Sequence, residues 1–198
     1  MFTGIVTGIG IVQSIAPNGE GTDMRLTIAA PWADTATIAP GASIACSGCC
    51  LTAVAVGADW FSVDVSAETL ARTTLGEWRI STRINLERSL RLGDELGGHL
   101  VFGHVDGVGR AIEKRAEHGS VRWRFAAPAE VARSIAVKGS IAVDGVSLTA
   151  NAVSKDAFAV NIISHTAQMT RFGWLEPGDS VNLEIDMLAR YVARLVEA

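Results

Sequence analysis

The chain is written twice. Ser43 to Val56 reads SIACSGCCLTAVAV and Ser140 to Val153 reads SIAVDGVSLTANAV, with Ser, Ile, Ala, Gly, Leu and Thr in the same places 97 residues apart. The same offset pairs Ala30-Pro31 with Ala127-Pro128, Ile38-Ala39 with Ile135-Ala136, Phe61 with Phe158, Thr69 with Thr166, and Asn85-Leu86-Glu87 with Asn182-Leu183-Glu184. Gly4 to Gly10, GIVTGIG, matches Gly103 to Gly109, GHVDGVG, at an offset of 99, and length changes before Pro31 absorb the difference. Two copies are too few for a stacked solenoid, so each must bury a core of its own. The 198 residues therefore divide into like domains over 1–97 and 98–186, meeting at the permissive Gly97-Gly98, with a tail over 187–198.

Within each copy the period is that of a strand. Phe61, Val63 and Val65 alternate with Ser62, Asp64 and Ser66, and Phe158, Val160 and Ile162 alternate with Ala159, Asn161 and Ile163. Gly57-Ala58-Asp59 and Ser154-Lys155-Asp156 form turns ahead of these runs, and Asn18-Gly19 and His118-Gly119 predict hairpins. Short strands at this spacing predict an all-β dominated chain with a small closed barrel in each half, plus short helices after Pro31 and Pro128. The tail changes period. Ile185, Leu188, Val192 and Leu195 make one apolar seam, with Arg190, Arg194 and Glu197 elsewhere on the helix. A lone helix of this length must dock, on its own barrel or on copies of itself.

Composition narrows the function. Apolar residues make up 48 % and charged residues 19 %, which fills a core and excludes a disordered chain. The net charge of −4 is scattered without a basic stripe, which argues against nucleic acid as a partner. The start, MFTGIVTGIG, lacks a basic leader, and no run reaches about 18 apolar residues, so the expectation is a cytoplasmic protein with no membrane partner. Cys46, Cys49 and Cys50 are too close for a disulfide framework. A structural zinc would need a second ligand pair, so no metal is expected and the cysteines read as small buried residues.

Chemistry concentrates in the repeated motif. If the strand runs on past Gly48 and Gly145, Cys50 and Thr52 share one face opposite Cys49 and Leu51, and Ser147 and Thr149 oppose Val146 and Leu148. One such polar face could be satisfied by backbone alone; the same face in both copies implies two similar pockets, one with a thiol and one with a hydroxyl. His104 stands where the first copy has Ile5, so its proton chemistry belongs to one pocket; His99 has less positional support.

At these residues the chain resembles the riboflavin synthase family: MFTGIV, the paired GCCLT and GVSLT motifs, AETLARTTLG, and GGHLVFGHVDG at the junction, a similarity that runs nearly end to end. The resemblance implies two six-stranded Greek-key barrels, a carboxy-terminal helix that holds a homotrimer, and an association with lumazine synthase. It also implies one lumazine per barrel, with the active site between barrels of adjacent subunits. There two 6,7-dimethyl-8-ribityllumazine molecules exchange a four-carbon unit without a cofactor. By matching position, the first pocket would use Gly4, Ile5, Val6, Cys49, Cys50, Leu51, Asp64, Val65, Ser66, Ala67, Glu68 and Thr69. The second would use Gly103, His104, Val105, Lys138, Val146, Ser147, Leu148, Asn161, Ile162, Ile163, Ser164, His165 and Thr166. Catalytic roles would fall on Phe2, Cys50, His104, Ser147 and Thr149, with Ser43 as a further polar candidate, and His104 would serve the Ser147 face.

Phe102, Ser47 and Ile163-Ser164 depart from the family pattern at the pocket edges. The rival reading is a non-catalytic lumazine or flavin carrier, in which one repeat's pocket would decay; here both motifs persist beside His104.

Overall fold

A computed structural model describes residues 1–196, and in it each copy is an antiparallel sheet wrapped round its own core. The first copy consists of β1 (Gly8–Pro17), β2 (Met24–Ala29), β3 (Ser43–Cys46), β4 (Cys49–Val56), β5 (Trp60–Val65), the short helix α1 (Ala67–Arg72) and β6 (Arg83–Arg88). These strands close into a barrel in the order β1-β2-β5-β4-β3-β6. The alternating apolar side chains point inward, with Val12, Ile28, Phe61, Val63 and Leu86 fully buried.

The second copy repeats the plan with β7 (Gly107–Glu117), β8 (Ser120–Ala126), α2 (Ala129–Ala132), β9 (Ser140–Val143), β10 (Val146–Thr149), β11 (Ala152–Val153), β12 (Ala157–Ile163), α3 (Ser164–Met169) and β13 (Ser180–Ile185). The sheet has seven strands in the order β10-β9-β13-β7-β8-β12-β11. Its two end strands are halves of the counterpart of β4, split at Ala150-Asn151. Strand β4 already shifts register between Ala53 and Ala55, which stand 97 residues before Ala150 and Ala152. A bulge that one copy absorbs becomes a break in the other, and the second sheet closes through the chain rather than through its ladder. The bulge between β1 and β2 is likewise repeated between β7 and β8.

The turns differ in kind. His118-Gly119 is a two-residue hairpin with φ of 32° and 86°, whereas Asn18-Gly19 lies in a longer loop closed by the Asn18 N–H on the Asp23 carbonyl. Ser47-Gly48 and Asp144-Gly145 both turn through positive φ, and their tips touch: a Cβ on Gly48 would sit 2.6 Å from the Gly145 nitrogen.

Around that contact the copies lock reciprocally. The Asn85 amide donates to the Asp144 carbonyl and accepts from the Arg171 N–H; the Asn182 amide donates to the Ser47 carbonyl and accepts from the Thr74 N–H, all at 2.8 Å. Phe2 and Val101 exchange backbone hydrogen bonds at 2.7 and 3.0 Å. The last helix, α4 (Met187–Val196), buries no residue; Leu188, Tyr191, Val192 and Leu195 are all more than half exposed. Glu197, expected on this helix, and Ala198 lie outside the described residues.

Candidate functional site

The two motif strands divide their faces as their alternation requires. Cys49 and Leu51 are buried in the first core, and Val146 and Leu148 pack with the second. Cys50 and Ser147 are half-buried on the opposite faces, and Thr52 and Thr149 are exposed there. Burial pushes the Cys49 thiol up to about 12 and Cys46 well above its ordinary range, so neither is a thiolate at neutral pH. Cys50 faces the other way from both, so the three sulfurs do not converge on a point.

Each outward motif face is covered by the opening segment of the other copy. The Ser147 N–H donates to the Gly4 carbonyl at 2.8 Å, and the Cys50 N–H donates to the Gly103 carbonyl at 2.9 Å. Contact is so close that a Cβ on Gly4 would lie 2.5 Å from the Ser147 Cβ, and one on Gly103 2.5 Å from the Cys50 Cβ; both glycines have φ of +74°. Val6 accordingly packs on the second core and Val105 on the first. Within a protomer this differs from the grouping that the resemblance implied, which kept Gly4 to Val6 with Cys50 and Gly103 to Val105 with Ser147. A sequence offset carries no information about which copy an opening leans on.

Buried carboxylates hold the openings. Glu87 accepts from the Thr3 N–H at 2.6 Å, the Thr3 hydroxyl at 2.7 Å and the Gly4 N–H at 3.0 Å. Glu184 accepts from the N–H groups of Phe102, Gly103 and His104 at 2.7, 2.8 and 3.0 Å. Burial pushes Glu184 up to about 7 against the pull of these donors, and the neighbouring charge of Asp106 adds to the rise; Glu87 is also raised, by burial. The Asn-x-Glu repeat marked both carboxylates as equivalent positions, but nothing in the sequence says what they hold.

The remaining candidates distribute as follows. Continuing the β4–β5 register from Ala53 opposite Val63 brings Cys50 to Ser66, which caps α1 by accepting the Thr69 N–H at 3.2 Å. Ala67 and Glu68 lie in that helix, Val65 is core, and Asp64 is held outside by Arg25. In the second copy Asn161, Ile163, Ser164 and His165 are exposed, Thr166 is half-buried and Ile162 is core. Lys138 is exposed at φ of 69°, and Ser43 pairs with Thr52 on the face of Cys50.

Two of the catalytic candidates, Phe2 and His104, and one weaker candidate, His99, take places that the sequence does not specify. Phe2 is fully buried in a cluster with Ala45, Val101 and Ala142, with Cys50 packed against it. His104 is exposed on the turn that covers Cys50, with its ring 5.9 Å from that of Phe102, and so belongs to the first copy's motif within a protomer. The imidazole beside Ser147 is that of His99, whose Nδ1 lies 2.6 Å from the Ser147 Oγ. His99 was legible only as a histidine next to the Gly97-Gly98 junction, and its partner was not.

Comparison with known proteins agrees with the duplication. The lumazine binding domain model matches residues 3–89 and again 102–186. The chain is 50 % identical over 202 aligned positions to the riboflavin synthase of Brucella abortus, covering 100 % of this chain and 98 % of that protein. It is 37 % identical to that of Photobacterium phosphoreum, covering 99 % and 89 %. Among solved structures, LumP complexed with riboflavin superposes at a TM-score of 0.85 with 28 % identity, covering 93 % of this chain and 99 % of that one. LumP complexed with 6,7-dimethyl-8-(1'-D-ribityl) lumazine gives 0.83 with 26 %, at the same coverage.

Proposed function

The chain belongs to the riboflavin synthase family, with two lumazine-binding domains in tandem, and from that premise we propose that it performs the family's reaction on its own two motif faces. Two molecules of 6,7-dimethyl-8-ribityllumazine exchange a four-carbon unit, giving riboflavin and 5-amino-6-ribitylamino-pyrimidinedione. The observation that carries this reading is the pair of half-buried outward faces at Cys50 and Ser147, each completed by the other copy's opening and neither degraded. A lumazine is planar and electron-poor, its 7-methyl group is acidic for a carbon acid, and the ring itself is the electron sink. The protein then has to align two rings and move protons, and alignment alone is worth up to about 7 to 11 kcal/mol in well-oriented systems.

Alignment of two lumazines requires two faces to meet. The apolar face of α4, which buries nothing on its own protomer, supports a homotrimer in which the Cys50 face of one subunit meets the Ser147 face of the next. In that arrangement His104 comes with Cys50, and His99 with Ser147. Unbonded thiols at Cys46, Cys49 and Cys50 support a cytoplasmic setting. Association with lumazine synthase would shorten the path of the substrate.

Purified protein mixed with 6,7-dimethyl-8-ribityllumazine should develop flavin absorbance; binding without flavin would mark a carrier and end this reading. Replacing Leu188, Val192 and Leu195 by Asp should yield monomers by sedimentation that still bind lumazine and have lost turnover. Full activity in a monomer would remove the shared site.

A further inference from the structure

Most of the polar side chains on the two motif faces reach solvent or backbone, but one is engaged by a half-buried imidazole. We propose that His99 is a positioning residue that acts through Ser147, accepting the Ser147 hydroxyl proton as Ser147 draws one from the 7-methyl group of the lumazine in its pocket. This rests on the reading just given and assigns deprotonation to one of the two pockets.

The pair is built, not incidental. Gly98 is pressed so closely on its surroundings that a Cβ there would lie 2.1 Å from the Thr3 carbonyl oxygen and 2.8 Å from the Ser147 Cβ. The His99 N–H donates to that same carbonyl at 3.1 Å, so the backbone leading to the ring is pinned on the Thr3 segment. Ser147 is pinned in turn by Gly4, one residue along. The His99 Nε2 is buried with no hydrogen-bond partner among the described residues, which leaves the 2.6 Å contact to Ser147 as the ring's one polar bond. With the Ser147 hydroxyl donating to Nδ1, the ring hydrogen sits on Nε2 and the Nδ1 lone pair receives the proton.

Two charged groups act on this ring or its support. Burial holds the imidazole below its ordinary range and so neutral at neutral pH, while the charge of Asp186 favours the imidazolium once a proton arrives. Glu87 acts through Thr3, which it holds from the other side. In the step itself the C–H bond of the 7-methyl group breaks and its electron pair enters the ring system of the lumazine. The proton bonds to the Ser147 Oγ as the original hydroxyl proton passes to His99 Nδ1, and the reverse shift restores the pair. Cys50 has no such ring: among the described residues no nitrogen is hydrogen-bonded to its sulfur, and the opening that covers it offers a carbonyl.

Exchange of the 7-methyl protons in deuterated water tests this, because it needs one bound lumazine and no partner ligand. His99→Asn keeps an acceptor near the place of Nδ1 but takes no proton. It should slow exchange and turnover by about 100-fold with lumazine affinity unchanged, and abolish the fall in exchange at acid pH, below the ordinary histidine range. Ser147→Ala should slow exchange equally. Exchange within threefold of the parent in His99→Asn, with the same acid limb, overturns the proposal. Should His99→Asn not fold, unaltered exchange in Ser147→Ala overturns it alone. A parent protein that exchanges the methyl protons but forms no riboflavin would instead overturn the proposed function.

Discussion

The two halves of this molecule share a scaffold and differ in what the scaffold holds. Both openings pass through a glycine at φ of +74°, both are gripped by a buried glutamate, and both lie on the other half's motif strand. Where the first half has Cys50 under a carbonyl, the second has Ser147 against an imidazole. Where the first has Ser47 and Thr74, the second has Asp144 and Arg171 joined at 2.7 Å. Where the first has Thr7, the second has Asp106 beside its glutamate. Backbone geometry is what duplication copies and packing preserves; side chains on the outward faces are free to diverge, and a reaction that makes two identical molecules play unlike parts needs that divergence.

The largest expected difference is in stability. Asp144 is almost fully buried and bonded to Arg171 and to the Asn182 N–H, so Asp144→Ala leaves the guanidinium with only the more exposed Asp179, 3.8 Å away, and should lower unfolding free energy by about 3 kcal/mol. Ser47→Ala removes one 3.2 Å hydrogen bond from the Asn85 N–H and should lower it by about 1 kcal/mol. Urea unfolding of both variants measures the gap; equal losses would mean that the ion pair adds nothing to the interface.

Activity should split the halves next. Ser147→Ala should reduce kcat by about 100-fold, equivalent to about 2.7 kcal/mol in the barrier, and Cys50→Ala by less than about tenfold, each with lumazine binding retained. Steady-state kinetics with direct ligand titration separates the two, and a larger loss at Cys50 would reverse the assignment of roles. By contrast, Gly4→Ala and Gly103→Ala probe what the halves have in common. Each forces a side chain into the left-handed region against a Cβ 2.5 Å away, and each should destabilise by about 2 kcal/mol, the same within about 0.5. Unequal losses in thermal unfolding would show that the openings are not equivalent supports.

Much of this was legible in the sequence. The repeat predicted two like sheets because identical residues at a fixed offset must solve the same packing problem, and the two-residue period put Cys50 and Ser147 on the faces opposite Cys49 and Val146. The exchange of openings was not legible. It depends on how the two halves pack, through contacts such as Asn182 on Ser47 that join residues 135 apart, and a repeat offset pairs each opening with its own motif. His99 has less positional support than His104 in the sequence for the same reason: its meaning lies in a 2.6 Å contact with a residue 48 positions away. The split of the second barrel at Asn151 was hidden because the sequence there, LTANAV, reads as one strand, and only a bulge already present in β4 separates a bent ladder from a broken one.

The smallest expected effect is a titration, and it isolates one substitution between the halves. Glu184 stands at about 7 in the folded chain against 4.5 for the free side chain, with burial as the main cause and Asp106 adding to it. A carboxyl group raised on folding keeps its proton where the unfolded chain has lost it. Its contribution to stability is therefore complete below pH 4.5, declines as pH rises towards 7, and is gone above that. Losing that proton puts a full negative charge among the N–H groups of Phe102, Gly103 and His104, so the turn under His104 should tighten across the same interval. Carbon NMR of the labelled carboxyl group should follow the transition directly. Asp106→Asn should move it to lower pH, and Thr7→Asp should move that of Glu87 to higher pH, making the first half behave like the second. If Glu184 titrates unchanged in Asp106→Asn, burial alone sets it, and the difference between the two glutamates has to be sought in the third donor, the Thr3 hydroxyl that Glu87 has and Glu184 lacks.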